Sequence, residues 1–377
     1  MRLLFLSADP GVPVLGHKGA SVHLRELCAA FAQAGVEVHI ASPRIAPEGD
    51  ALRAPAALHQ IAPVLAKEHS PRTLDDAVKE QERAVTALCR MAGIDAVYER
   101  FSLFTTAGVC AAAELGLPHV LEVNAPLREE AARFRTLPHP GPAESFESRV
   151  MARTDRVLAV SRPLAETLAR SGVARQKIEI VPNGVAVERF REPRRDPERF
   201  VVGFSGSLKP WHGIDALVDA VVRVPEAHLE VAGHGPQEHL LDRVPSERLT
   251  RLGTLTHDES IARMAGWNVG VAPYAPLDGF WFSPLKVLEY MAASVCPVAT
   301  ELGDTAALLG HGSRGVLVRP GDAGALARAL AALAREPERA WTLGERAKRW
   351  VAANRSWSAN AQTALEALAA AQTKKAA

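Results

Sequence analysis

One helix start in the second half of the chain combines groups that attract a phosphate with a nearby carboxylate. Ser283 is a favourable N-cap residue, Pro284 suits the first helical position and Leu285 follows it. The free N–H groups of such a first turn, the helix dipole and the ammonium of Lys286 attract a phosphate. Glu289 follows within two turns and would reach a pair of sugar hydroxyls. The alternative is a buried structural helix in which Glu289 forms a salt bridge or is solvated.

A second phosphate-friendly segment is the glycine-rich loop after the first apolar run. Gly11 and Gly16 have the spacing of a P-loop, but His17 intervenes before Lys18 and no Ser or Thr follows the lysine to hold magnesium. A P-loop NTPase is therefore disfavoured. Gly16 and Gly19 would instead let the backbone approach a phosphate or a sugar at a helix N-terminus. The alternative is a plain flexible loop.

The third such segment is a turn with Ser207, Lys209, Trp211 and His212. Lys209 and His212 could meet a diphosphate there, or His212 could be a structural residue at a helix start with Trp211 packed beneath it. Neither half of the chain has Gly-x-Gly-x-x-Gly after its first strand, so a nicotinamide enzyme is disfavoured.

Composition limits the class of protein. The 377 residues suit two domains, and 44 Lys plus Arg against 43 Asp plus Glu give no general attraction to nucleic acid. Four isolated cysteines predict reduced thiols, with neither a disulfide framework nor a zinc site. The first apolar run is too short for a signal peptide or a membrane span. We expect a cytoplasmic protein, with peripheral association at the inner face of the membrane as an alternative.

Apolar runs alternate with helical patterns, which predicts an α/β fold with two doubly wound parallel sheets. The predicted strands are Arg2–Ser7, Val36–Ala41, Ala96–Tyr98, His119–Val123, Val157–Val160, Glu179–Val181, Phe200–Ser205, Leu229–Ala232, Val269–Ala272, Pro297–Thr300 and Gly315–Val318, with a strand or loop at Leu249–Gly253. The predicted helices are Ser21–Ala34, Leu74–Met91, Thr105–Leu115, Gly213–Val224, the helix after Ser283 and an interrupted helical stretch at Ala323–Ala371.

The predicted domains are residues 1–187 and 200–355, joined by a linker at 188–199 and followed by a helix and tail at 356–377. In the linker, arginines alternate with four acidic residues, so a solvated connector is favoured over a nucleic-acid patch. The final helix is expected to pack back on the N-terminal domain. Ligands of open α/β sheets bind at the carboxyl ends of the strands, so we expect a site in a cleft between two such sheets.

These segments, in this order, resemble the retaining GT-B glycosyltransferases, the family that includes bacterial mannosyl- and N-acetylglucosaminyltransferases. The resemblance covers nearly the whole chain and is carried by Gly16–Leu27, Gly35–Ile40, Val160–Ser161, Val181–Val185, Gly206–Gly213, Gly233–Pro236, Val271–Tyr274, Trp281–Glu289 and Gly315–Asp322. The Ser-Pro-Leu-Lys segment and Glu122–Leu127 look like one bacterial subgroup.

The resemblance implies two Rossmann-like domains facing across a cleft, a donor domain in the C-terminal half and an acceptor domain in the N-terminal half. It implies transfer of a hexosyl-type group from a nucleoside diphosphate sugar, with UDP favoured, to a small-molecule, glycan or lipid-linked acceptor. No metal, cofactor, nucleic acid or integral membrane segment is expected, and the oligomeric state stays open. The implied donor-binding residues are Gly16, Gly19, Ser207, Ser283, Pro284, Leu285 and Glu289. The implied catalytic residues are Lys209, Lys286 and His212, and the residues on the acceptor and sugar side are Arg100, Glu122, Asn124, Trp281 and Phe282.

Three departures from the family pattern stand out. Trp281 occupies the first position of the Glu-x7-Glu signature, Ser207 and His212 occupy the positions of the diphosphate-binding Arg and Lys, and Asn124 replaces a frequent histidine. We therefore expect Lys209 and Lys286 to substitute for the missing cations. A non-hydrolysing nucleotide-sugar epimerase and a two-lobed solute-binding protein are the alternative functions.

Overall fold

The computed structural model describes residues 1–46, 49–194, 196, 198–276 and 279–376. They form two compact units: Met1–Pro182 with Trp281–Ser283 and Trp357–Ala377, and Asn183–Phe280 with Pro284–Ser356. The described residues of the predicted linker belong to the second unit, whose first residue lies before the predicted boundary at 187. Arg195 and Pro197, also in that linker, lie outside the described residues.

The first unit is built on a seven-stranded parallel sheet with the strand order β3-β2-β1-β4-β5-β6-β7. Its strands are β1 Arg2–Ser7, β2 Glu37–Ser42, β3 Ala57–Gln60, β4 Ala96–Arg100, β5 His119–Val123, β6 Arg156–Ala159 and β7 Ile178–Ile180. Its helices are α1 Gly19–Gln33, α2 Pro71–Ala92, α3 Ala107–Leu115, α4 Leu127–Phe134, α5 Pro140–Arg153, α6 Arg162–Arg170 and, from the end of the chain, α13 Trp357–Ala376.

The second unit repeats this plan with a six-stranded parallel sheet in the order β10-β9-β8-β11-β12-β13. Its strands are β8 Phe200–Ser205, β9 Ala227–Ala232, β10 Leu249–Gly253, β11 Val269–Ala272, β12 Cys296–Thr300 and β13 Val316–Val318. Its helices are α7 Ile214–Val222, α8 His257–Met264, α9 Leu285–Ala292, α10 Thr305–Leu308, α11 Ala323–Arg335 and α12 Pro337–Asn354.

The central strands are apolar and buried along nearly their whole length, as parallel strands covered on both faces must be. In the first unit the strand order reverses between β1 and β4, and in the second between β8 and β11. Such reversals open a crevice at the carboxyl ends of the strands, where α/β proteins bind ligands. The fold therefore provides one candidate crevice in each unit, and the α/β class with two Rossmann-like sheets is confirmed.

Every predicted strand is present, and the strand ends that differ from the prediction shift by one or two residues. Strand β3 was not predicted because most of its residues are exposed and form no apolar run. The largest correction concerns α9, which begins at Leu285 with Pro284 as its N-cap residue, so Ser283 is not the cap. Helix α13 continues to Ala376 and packs against α1 within the first unit.

Among the described residues, no helix is long and apolar enough to cross a membrane. The four cysteines are free thiols, and Cys110 is the least buried of them.

Candidate active site

In the second unit, the turn that leaves β8 requires glycine at two positions. Gly206 has φ +136° and Gly213 has φ +64°, both in the region that residues with a side chain rarely adopt. A Cβ atom at Gly213 would lie 1.8 Å from the carbonyl oxygen of Pro273, just after β11. The turn from 206 to 213 therefore packs tightly against the end of β11, at the point where the strand order reverses.

The Lys286 side chain starts in the first turn of α9 and packs against the turn from 206 to 213. Its Nζ lies 4.0 Å from the ring centroid of Phe204 and 5.7 Å from that of Tyr274, and a Cβ at Gly206 would approach it to 2.8 Å. The Nζ atom is buried and has no hydrogen-bond partner among the described residues. The ring faces attract the cation, but they do not replace three hydrogen-bond acceptors.

Burial lowers the pKa of Lys286 from 10.5 to about 7, although the nearby Glu289 carboxylate acts in the opposite direction. A buried amine without an acceptor loses hydration in its charged form and recovers nothing for it. An anion at the turn would supply both the missing acceptor and the missing negative charge.

The N-terminus of α9 has no side-chain cap. Pro284 takes the N-cap position with φ −78° and ψ 88°, and its carbonyl oxygen accepts from the N–H groups of Val287 and Leu288 at 3.0 and 3.3 Å. Proline has no side chain that could accept from the first turn, whereas Ser283 as cap would have done so. The uncapped first turn with Lys286 on it is suited to an anion.

His212 does not fit the cationic role that its position suggested. Its Nδ1 contacts the carbonyl oxygen of Ser207, which only accepts, so Nδ1 carries the proton. Burial, together with the positive charge of Lys286, lowers the pKa of His212 to about 3. The ring is therefore neutral at physiological pH, and its Nε2 offers a lone pair instead of a charge.

The remaining predicted residues of the turn differ in exposure. Ser207 is exposed at the tip, and Lys209 is half-buried. Lys209 precedes a short 3₁₀ turn, Pro210–His212, and its charge contributes to the low pKa of His212. The structure thus groups Ser207, Lys209, His212 and Lys286 around one turn.

Glu289 lies one turn further along α9 and is buried. Its Oε1 accepts a hydrogen bond from Nε2 of His257, the first residue of α8, at 2.9 Å. His257 was not among the predicted site residues. Thr256 and Glu259 form a capping box that starts α8, and this Thr-x-x-Glu pattern was the signal that could have placed His257 at a helix start.

In the first unit, a buried arginine forms hydrogen bonds to the backbone of the glycine-rich loop. Arg25 of α1 donates from one nitrogen to the carbonyl oxygens of Val14 and Gly16, at 2.9 and 2.7 Å. Gly19 begins α1, and Lys18 is its N-cap residue without a side-chain cap hydrogen bond. Gly16 therefore lies in a loop that Arg25 holds in place, and Gly19 begins a helix whose first turn has no side-chain cap. Both follow the carboxyl end of β1.

Arg100, Glu122 and Asn124 come together at the carboxyl ends of β4 and β5. Oε1 of Glu122 accepts from Arg100 NH1 at 3.0 Å and from the Asn124 amide. Oε2 accepts from the Tyr98 hydroxyl at 2.5 Å and lies 2.8 Å from His23 Nε2. Both carboxylate oxygens are thus engaged, so Glu122 organises its neighbours.

Charge balance keeps Glu122 ionised. Burial alone raises the pKa of a carboxyl group, but the His23 imidazole, the Arg100 guanidinium and the Tyr98 hydroxyl together hold the pKa of Glu122 well below its usual range. Burial and the Glu122 carboxylate in turn raise the pKa of Tyr98 well above its ordinary value. His23 was not predicted, although it lies four residues before Leu27 at the edge of the apolar stripe of α1.

Trp281 and Phe282 belong to the first unit with Ser283. Trp281 packs into a cluster with Phe101 and Val160, and Phe282 packs against that cluster. The Trp281 carbonyl oxygen accepts from the Ser161 hydroxyl at 2.6 Å, while its indole Nε1 is buried without a partner among the described residues. A donor-only N–H group thus stands where the sequence resemblance predicts a carboxylate.

Comparison with known protein families identifies both halves of the chain. Residues 17–189 match the Glycosyltransferase Family 4 model, and residues 199–336 match the Glycosyl transferases group 1 model. The chain belongs to the GT-B glycosyltransferase family. The Glu122 cluster and α9 lie within the matched ranges, and the first match begins near the end of the glycine-rich loop.

Individual relatives agree with this assignment. The glycosyltransferase is 27% identical to the D-inositol 3-phosphate glycosyltransferase of Pseudarthrobacter chlorophenolicus over 94% of this chain and 90% of the relative. Among solved structures, it resembles the sucrose-phosphate synthase of Thermosynechococcus elongatus with a TM-score of 0.74, at 20% identity and covering 97% of each chain. It also resembles the Anabaena HepE protein in complex with UDP and glucose, with a TM-score of 0.72 at 17% identity, covering 98% of this chain and 100% of HepE.

The two structural likenesses concern the fold. The family models and the relatives support glycosyl transfer and give no support to the epimerase or the solute-binding alternative.

Proposed function

We propose that this glycosyltransferase moves a sugar from a nucleoside diphosphate sugar, with UDP as the favoured nucleotide, to a hydroxyl acceptor with retention of the anomeric configuration. The UDP and glucose bound by the HepE protein support a nucleotide-sugar donor. The resemblance of its sequence to the retaining members supports the stereochemistry.

The observation that carries the proposal is the meeting of three groups at the start of α9. Its uncapped first turn, the buried ammonium of Lys286 and the carboxylate of Glu289 lie on one helix beside the turn that follows β8. A diphosphate needs N–H donors and a cation, and a ribose needs an acceptor for its hydroxyl groups. The three groups meet these needs in the order in which a nucleotide presents them.

Breaking the sugar–phosphate bond places negative charge on the departing diphosphate, so stabilising this charge is the main catalytic task. We assign that task to Lys286, Lys209 and the first-turn N–H groups of α9, which lack a side-chain cap. Neutral His212 contributes no positive charge, but its Nε2 can accept a hydrogen bond. Retention implies that the acceptor hydroxyl attacks from the face that the leaving group vacates, and that the leaving phosphate takes its proton.

On the acceptor and sugar side, we assign Glu122 an organising role. Because both of its oxygens are occupied, it fixes Arg100 and Asn124 and leaves their remaining N–H groups for sugar or acceptor hydroxyls. The Trp281 N–H is the proposed replacement for the sugar contact of the missing first glutamate.

We further propose that the reaction needs no metal ion and that the acceptor is a small molecule, a glycan or a lipid-linked sugar. D-inositol 3-phosphate, named for the Pseudarthrobacter relative, is the first acceptor to test. A cytoplasmic location, with or without peripheral membrane association, belongs to the same proposal.

Thermal-shift titration with UDP, GDP and ADP tests the donor site first. We expect one diphosphate to raise the melting temperature, and Glu289→Ala to weaken its binding by roughly tenfold or more, because a hydrogen bond to a charged group contributes about 1.5–3 kcal/mol. Failure of all three nucleotides to bind would refute the proposed donor class.

Product analysis then tests the reaction. Incubation of the matching nucleotide sugar with an acceptor panel should release the nucleoside diphosphate, and NMR of the product should show the anomeric configuration of the donor. EDTA is expected to leave the rate unchanged. An inverted product would refute retention, and loss of activity in EDTA with recovery in magnesium would refute the metal-free mechanism.

A further inference from the structure

His257 connects the buried Glu289 carboxylate to a second segment of the second unit. Its Nε2 lies 2.9 Å from Oε1 of Glu289, and both side chains are about nine-tenths buried, at 9% and 10% exposure. Helix α9 carries the carboxylate and helix α8 carries the imidazole, so this contact joins two elements that are separate in sequence.

The other side of the imidazole fixes its tautomer. Arg189 NH1 lies 2.9 Å from Nδ1 of His257, and its NH2 donates to Oδ1 of Asp258 at 2.7 Å. A guanidinium group has only N–H donors, so Nδ1 of His257 must accept. The ring proton is therefore on Nε2, which donates to Glu289. The resulting chain of donors runs from Arg189 through His257 to the carboxylate.

We propose that His257 is a positioning residue for nucleotide recognition: it occupies Oε1 of Glu289 and thereby aims Oε2 at the ribose hydroxyls of the donor. The inference rests on the proposed function and assigns a role to a side chain outside the α9 segment. Arg189 acts one step further away, because it holds the tautomer that makes His257 a donor.

The physical reason lies in the geometry of a carboxylate. A glutamate side chain on a helix end rotates about three bonds, and each rotation must be frozen when the ribose binds. Among the described residues, no group donates a hydrogen bond to Oε2, whereas Oε1 is held by His257. A carboxylate fixed through one oxygen presents the other at a set angle, as supporting hydrogen bonds do for metal ligands.

A neutral donor suits this task better than a cation. A lysine or arginine at position 257 would form a full ion pair with Glu289 and compete with the ribose for its negative charge. The neutral imidazole orients the carboxylate and leaves its charge for the ligand. Arg189 does not neutralise Glu289 directly, since His257 stands between them and Arg189 also pairs with Asp258.

Isothermal titration with UDP, 2′-deoxy-UDP and 3′-deoxy-UDP tests the inference. The wild-type protein is expected to bind UDP at least roughly tenfold more tightly than one of the deoxy analogues, and Glu289→Ala should remove this preference. His257→Ala should reduce the preference to within about threefold, although Glu289 is still present. His257→Gln should retain part of it, because the amide N–H can donate to the carboxylate.

A matched control exists in the same unit. His228 of β9 lies 2.9 Å from Arg199 NH2 and 2.7 Å from the Thr250 hydroxyl, so it forms a similar arginine–histidine chain that ends at a hydroxyl instead of Glu289. His228→Ala should leave the ribose preference unchanged. A melting temperature measured for each variant separates general loss of stability from loss of the preference.

The outcomes separate this inference from the proposed function. If the wild-type protein binds no nucleoside diphosphate, both fall. If it discriminates against a deoxy analogue and His257→Ala keeps the full preference, the positioning role is wrong and the proposed function stands. If Glu289→Ala keeps the preference, Glu289 is not the ribose ligand and the role of His257 falls with it.

Discussion

Replacing Lys286 by methionine is expected to stabilise the empty protein and to weaken nucleotide binding at the same time. The ammonium is buried against Phe204 and Tyr274 without an acceptor among the described residues. Methionine has a similar length and no charge, so it fills the same space between the rings. A residue kept for stability alone would show the opposite effect on unfolding.

The magnitude follows from the pKa of Lys286. A fall from 10.5 to about 7 on folding corresponds to at most roughly 5 kcal/mol lost from stability when the lysine is charged. Because the folded pKa lies below the unfolded one, this penalty is complete below pH 7 and disappears as the pH rises to about 10.5. The Lys286→Met variant should therefore gain most stability near pH 6, by about 1–3 kcal/mol after the lost cation–π contact is subtracted.

The effect of Lys286→Met on nucleotide binding is opposite to its effect on stability. A diphosphate at the turn raises the pKa of Lys286, so binding takes up a proton above pH 7. Wild-type affinity for UDP should fall from pH 7.5 to pH 9 by up to roughly tenfold per pH unit, while Lys286→Met should bind about 10–100-fold more weakly at pH 7.5 and show little pH dependence. Calorimetry in two buffers with different ionisation enthalpies measures the proton uptake directly.

Chemical unfolding from pH 6 to pH 9 provides the stability measurement. Lys177→Met is the control, because the Lys177 ammonium donates to the carbonyl oxygens of Ala152 and Thr154, both at 2.9 Å, and its loss should destabilise the protein. Destabilisation of the protein by Lys286→Met at pH 6, or an unchanged UDP affinity at pH 7.5, would refute this reasoning.

Two further substitutions test a buried charge cluster in the first unit and a close backbone contact in the second. Glu122→Gln should lower the free energy of unfolding near pH 7 by about 3 kcal/mol, because it leaves Arg100 and His23 without their carboxylate. Since folding lowers the pKa of Glu122, wild-type stability should fall as the pH drops below about 4.5. Urea unfolding over a pH series should show a weaker acid dependence in the variant. Gly213→Ala should destabilise the protein by more than about 3 kcal/mol, because its Cβ would lie 1.8 Å from the Pro273 oxygen. Gly312→Ala is the control: Gly312 has φ +95° and no atom within 4 Å of the added Cβ, so the substitution should cost only about 1–2 kcal/mol in the same assay. Equal effects of the two glycine substitutions would contradict the steric argument.

The sequence was sufficient to predict the fold because the strands of a parallel sheet are short apolar runs at regular spacing. Strand β3 shows where this reasoning fails: Ala57–Gln60 pairs with β2 at the sheet edge, and most of its side chains are exposed. An edge strand receives its position from backbone hydrogen bonds, which leave no hydrophobic signature.

The candidate site was predictable only in part. Residue types and order singled out Lys286 and Glu289, and the family resemblance singled out Arg100, Glu122 and Asn124, which the structure brings together. The N-cap preference of serine favoured Ser283 over Pro284, but the structure places Pro284 at the N-cap position of α9. The contact between His257 and Glu289 depends on how α8 and α9 pack, and no local pattern in the sequence contains it.

The departures at 207 and 212 can be understood together with Lys286 as one electrostatic arrangement. A second cation at position 212 would lie beside the Lys286 ammonium and repel it, and that ammonium has no hydrogen-bond acceptor among the described residues. Burial and the positive charge of Lys286 already lower the pKa of His212. A neutral histidine that donates to the Ser207 carbonyl avoids this repulsion and keeps the turn ordered. Placing the cation on the uncapped first turn of α9 also joins it to the helix dipole, so one lysine and the helix N-terminus act on the same phosphate. A cation that is charged at all times would be charged in the empty site as well, whereas Lys286, with a pKa of about 7, gains its proton when the anion arrives. The arrangement thus couples the charge of the site to its occupancy, which suits the proposed donor although Ser207 and His212 stand where the resemblance predicts an arginine and a lysine.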